Sequence, residues 1–91
     1  MTGKQTAFIE IFKKILANTS GITGTAGIGH EVYSDWLWQE GHEMFTAAGI
    51  RRQALGGIVV TLKGRGMLNQ RDVPDSEYVS VSLISLTEKA Y

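Results

Sequence analysis

The apolar residues of this chain change their period once, and that change limits the fold more than any other feature. As far as Leu62 they recur three and four residues apart; beyond Met67 they begin to alternate. The first spacing belongs to an amphipathic helix and the second to a half-buried strand. The changeover lies in Arg51 to Leu68, RRQALGGIVVTLKGRGML, where two local rules disagree. Its centre is β-branched and flanked by glycine, which on propensity reads as a strand. Leu55, Ile58, Val59 and Leu62 nevertheless stand at i, i+3, i+4 and i+7, one face of a helix. The neighbouring residues decide it. A helix that stops at Ala48-Gly49, an apolar Ile50 to plug the corner and a second 3–4 pattern make a helix-turn-helix. Gly49 can take the left-handed conformation that ends the first helix, and Gly66 ends the second. The spacing therefore predicts a helix over 51–65.

The rest of the chain falls into place around it. Residues 4–18 predict helix 1, with Phe8, Ile11, Phe12 and Ile15 as its inner stripe and Ile9 and Leu16 widening it. Thr2 and Gln5 have capping-box spacing. The stretch 20–29, with four glycines between Gly21 and Gly29, is expected to be a flexible connector. A phosphate cradle is excluded there: His30 and Glu31 follow Gly29 where a Walker loop needs lysine and a hydroxyl, and Val32 occupies the third glycine of a dinucleotide fingerprint. Residues 30–48 predict a helix with a break near Gly41, and Trp38 at its polar edge. Met67–Arg71 and Tyr78–Leu86 predict two strands of a hairpin over 67–86, joined by a turn at 72–77. Ile84 and Leu86 are out of parity with Val79, Val81 and Leu83, so a bulge near Leu83 is expected. Thr87 before Glu88 reads as an N-cap.

Ninety-one residues without cysteine leave no disulfide framework and no thiolate metal site. The Gly-His-Glu tripeptide at 29–31 and 41–43 suggests a metal, but twelve residues of continuous helix would part the two histidines by about 18 Å. No metal or cofactor is expected. The apolar runs are too short for a membrane-spanning helix and no signal-peptide pattern opens the chain, so a cytoplasmic protein is expected. The formal net charge of zero hides a segregation. Glu31, Asp35, Glu40 and Glu43 are the ionised groups of 30–43, whereas Arg51, Arg52, Lys63, Arg65 and Arg71 are those of 51–71. Five positive charges over 21 residues can attract a polyanion despite overall neutrality, because salt screens charges beyond about 8 Å.

The order helix, helix, turn, helix, hairpin resembles the winged helix-turn-helix domain of small bacterial and phage transcriptional regulators. Two motifs carry the resemblance. Leu62-Lys63-Gly64-Arg65-Gly66-Met67-Leu68 is similar to the pattern that leads the recognition helix into the wing. Val81 to Lys89, VSLISLTEK, is similar to the strand that closes it, with Ala90 where that family usually has glycine. The resemblance spans roughly residues 30–90. It implies an α+β fold of three helices followed by a two-stranded β-hairpin wing, in a single domain with its helix-turn-helix at about 30–66. It also implies double-stranded DNA as partner, with residues 51–65 in the major groove. Arg51, Arg52 and Gln53 would open the recognition helix, where arginine can pair with guanine and glutamine with adenine. Gly56, Gly57 and Thr61 would follow on its outward face, and Lys63, Arg65 and Arg71 would hold phosphates.

Two features depart from that pattern. Gly56 and Gly57 offer no side chains to read bases, and the expected wing tip carries Asp72, Asp75 and Glu77, which phosphates repel. An alternative is therefore a winged-helix protein-interaction module, using the acidic wing, the Gly56-Gly57 face and Trp38. On the DNA-binding reading a homodimer or a protein partner is expected as well, because one module with five basic groups makes few phosphate contacts. No serine or threonine is placed with a histidine and an acid in a recognisable arrangement, so no catalysis is expected.

Overall fold

The computed structural model describes residues 1–74 and 81–91. Helix α1 spans Gly3–Ser20. Thr2 caps it as expected, its side chain accepting from the Gln5 amide while the Gln5 side chain accepts from the Thr2 amide. The capping box satisfies two of the amide donors that the first turn leaves without partners. Phe8, Ile9, Ile11, Phe12, Ile15 and Leu16 are all buried, and Gly21 closes the helix at φ 65°. That left-handed value is open to glycine at no steric cost.

The segment after α1 corrects the expectation of a flexible connector. Gly24–Gly27 form a 3-10 turn with Gly27 buried. The Gly29 amide donates to the Leu86 carbonyl at 2.8 Å. The connector is thus tied to the end of the last strand, through backbone groups that leave little trace in side-chain patterning.

The helix expected at 30–48 is also corrected. Val32–Tyr33 form a short strand, β1, before α2 at Ser34–Glu40 and α3 at His42–Ala47. The break does fall at Gly41. A Cβ there would lie 2.6 Å from Ile15 Cδ1 and 2.7 Å from Phe45 Cε2, so the small residue lets α1 and α3 close together. The described residues hold four α-helices, not three, because one helical run is split at this glycine.

Gly49 has φ 74° and Ile50 is buried in the corner, as the helix-turn-helix pattern requires. Helix α4 runs Arg52–Gly64, with Ile58, Val59 and Leu62 turned inward. Gly66, at φ 74°, ends that path before β2, Leu68–Val73, which pairs antiparallel with β3, Val81–Leu86. Asp72 and Val73 belong to β2, so the strand outlasts its expected end at Arg71; Asp75 and Glu77 lie outside the described residues. The register is unbroken from Val73↔Val81 to Leu68↔Leu86, and the expected bulge near Leu83 is absent. Ile84 and Leu86 simply face the core with Leu68 and Val32. β1 joins the other side of β3, giving the order β1-β3-β2 where two strands were expected. Thr87 fastens this end to α4: its hydroxyl donates to the Gly66 carbonyl at 2.5 Å and its amide to that of Met67 at 3.0 Å. It also accepts from the Lys89 amide, as an N-cap.

The result is an α+β domain of four helices and a small antiparallel sheet, loosely helix-turn-helix in architecture. A single cluster of buried apolar residues joins α1, α3, α4 and the sheet.

Candidate nucleic-acid interface

Helix α4 is held from one side only. Ile58, Val59 and Leu62 bury its inner face, while Arg52, Gln53, Gly56, Gly57, Val60, Lys63 and Gly64 are exposed. At a rise of about 1.5 Å per residue it is roughly 20 Å long, and it contains no acid. Nothing lies within 4 Å of a Cβ added at Gly56 or Gly57, so the middle of the exposed face is low and open. Thr61 is half-buried and spends its hydroxyl on the Gly57 carbonyl at 2.9 Å, which leaves it a weaker candidate for a base contact. Val60 is 65% exposed, the most exposed of the large apolar residues among those described.

Both ends of α4 are basic, and each end gains a lysine from elsewhere in the chain. At the start, Lys4 of α1 comes beside Gly49 and lines a groove with Arg51, Arg52 and Gln53. At the end, Lys63 and Arg65 are joined by Lys89, whose Nζ would lie 3.2 Å from a Cβ on Gly66. Neither Lys4 nor Lys89 is recognisable from local pattern, because the chain path alone brings them to the helix. Arg51 stands at the N-cap of α4 without a side-chain cap, and no acid offsets the helix dipole in the first turn. Cations beside that positive end are an unfavourable arrangement for the isolated helix.

Two of the five clustered basic residues are already engaged. Arg52 Nη2 donates to Asp35 Oδ1 at 3.3 Å, an exposed contact between α4 and α2. Arg71, on β2, holds Glu31 with two hydrogen bonds, Nε to Oε2 at 2.6 Å and Nη2 to Oε1 at 3.1 Å. Since β3 lies between β2 and β1, this pair spans the sheet. The hydrogen bond from Arg71 lowers the Glu31 carboxyl below its ordinary range, and the same bond raises the Arg71 guanidinium. The segregation read from the sequence is therefore partly undone by folding: acids of 31–35 return to arginines of 51–71.

Asp72 is also committed, accepting from the Ser82 hydroxyl at 3.1 Å across the β2–β3 pair. Trp38 is half-buried, stacked on Phe45 with centroids 5.7 Å apart and edge-on to His42 at 5.4 Å. Phe45 stacks in turn on Phe8 at 5.6 Å, so one aromatic column runs from the core to the groove. The break at Gly41 brings no metal cluster with it: among the described residues no three His, Asp or Glu side chains converge. No helix of the described residues is long and apolar enough to cross a membrane.

No protein-family model, curated protein or solved structure matches this chain.

Proposed function

We propose that this chain is a winged-helix domain that binds double-stranded DNA without catalysis, as a small transcriptional regulator, with α4 in the major groove. The observation that carries the reading is α4 itself: one face anchored in the core, the other exposed, acid-free and basic at both ends. A groove about 12 Å wide admits such a helix, and Gly56 and Gly57 let its backbone come close to the duplex. Arg51, Arg52 and Gln53 are the base-reading candidates at its entrance; Lys63 and Arg65 are phosphate ligands at its exit. Arg71 drops out of the phosphate set unless its bond to Glu31 opens.

The test is fluorescence anisotropy of labelled duplex DNA titrated with the protein at several salt concentrations. Binding should weaken with a log–log slope of about −3 to −5 per protomer, the signature of a few displaced counterions. Changing Arg51 and Arg52 to Glu should abolish it. Failure of the folded wild type to bind at low salt would sink the proposal.

A second reading, a protein-interaction module, is favoured by the engagement of Arg52 and Arg71, which leaves the surface less cationic than the sequence suggests. On that reading the Arg51/Arg52 reversal matters little, and substitutions at Asp72, Asp75 and Glu77 disrupt partner capture instead.

A further inference from the structure

A groove opens at the start of α4. It is an open groove of about 840 Å³, lined by Lys4, Trp38, Thr46 and Arg51–Gln53. No acid lines it. Gly49 and the buried Ile50 line it at the turn, where glycine contributes no side chain that could fill it. We infer that this groove is a track for one DNA strand, in which Lys4 and Trp38 hold the phosphodiester backbone beside the entering end of α4.

The chemistry of the walls matches that occupant. Lys4 supplies charge, the Thr46 hydroxyl can donate to a phosphate oxygen, and the indole N–H of Trp38 is a donor that cannot accept. Trp38 is held by its stack on Phe45, so its position costs little further ordering on binding. The inference rests on the DNA-binding reading and extends it to Lys4 of α1 and Trp38 of α2, neither of which local pattern places beside DNA. It also separates two kinds of residue. Lys4, Trp38 and Thr46 would position the duplex without reading it, whereas Arg51 and Gln53 would discriminate among sequences.

The experiment compares the wild type with Lys4→Ala and Trp38→Phe by anisotropy on two unrelated duplexes over a range of salt. Lys4 is exposed on the first turn of α1, and phenylalanine preserves a ring for Phe45 to stack on, so both variants should fold; circular dichroism checks this. Lys4→Ala should weaken binding about three- to tenfold on both duplexes and make the salt slope shallower by about one. Trp38→Phe should weaken binding severalfold with the slope unchanged. In a Trp36→Phe background, Trp38 emission should change on adding duplex but not on adding millimolar inorganic phosphate. Wild-type binding with an unaltered Lys4→Ala titration would overturn the strand track while sparing the DNA-binding proposal. Phosphate alone reproducing the Trp38 change would also overturn it, in favour of a small-anion site. Absence of any wild-type binding would remove both.

Discussion

Single residues decide how closely the elements meet, and Gly41 is the clearest case. It is buried where α1 and α3 converge, and any side chain there runs into Ile15 and Phe45. Gly41→Ala should lower stability by about 1–3 kcal/mol through overpacking, read as a fall in the urea midpoint at unchanged slope. Glu31 supplies a second test at this scale. Its carboxyl is lowered in the folded protein by the hydrogen bond from Arg71, so the pair contributes stability above the unfolded carboxyl value. That contribution should disappear as pH falls through the lowered folded value. A urea midpoint followed from about pH 6 down to about pH 3 should decline, and Glu31→Gln should remove part of the decline. The pair is solvent-exposed, so the effect is small beside that of Gly41.

At the scale of elements, α4 is a helix by tertiary demand more than by local preference. Three glycines and a Val-Val-Thr run weaken it; burial of Ile58, Val59 and Leu62 holds it in place. The 3–4 spacing of those residues made it legible in the sequence, as did the capping box of α1 and the stops at Gly49 and Gly66. What escaped had a common cause. β1 is only two residues long and exists because β3 offers it a partner, fifty residues further on. The ties of Gly29 to Leu86 and of Thr87 to Gly66 are likewise long-range and involve backbone, so no local pattern announces them. The candidate interface was half legible for the same reason: Arg51–Gln53 lie at the start of α4, while Lys4 arrives from the far end of the chain. Gly56 and Gly57 expose a trade. With open space at both Cβ positions, alanine at either should stabilise the protein by about 0.5–1 kcal/mol. If the helix backbone must approach DNA closely, the doubly substituted protein should melt higher and bind more weakly. Thermal unfolding and anisotropy on the same sample read both. Binding that is unchanged would mean that the glycines serve no close approach.

Over the whole molecule, the chain is neutral by composition, and folding brings two of its acids back onto two of its bases. Glu31 and Asp35, which flank β1, reach Arg71 on β2 and Arg52 on α4; the second bond offsets a cation on the face that α4 presents, the first a cation on the sheet. The pairs are exposed and contribute little to stability, so their larger consequence is electrostatic. They moderate the positive potential of the surface at Arg52, in the first turn of α4, and at Arg71 on the sheet. Glu31→Gln combined with Asp35→Asn takes the formal net charge from zero to +2 by removing two acids. Stability should hardly change. On the DNA-binding proposal, affinity at low salt should rise about tenfold, with a slope steeper by about one to two as Arg52 and Arg71 become free to displace counterions. The gain should fade at high salt, where screening shortens the reach of surface charge. Asp35→Asn alone should account for most of it, because Arg52 stands on α4 and Arg71 does not. An affinity that stays flat in both variants would show that neither arginine faces the duplex, and would leave the binding to Lys4, Arg51, Lys63 and Arg65.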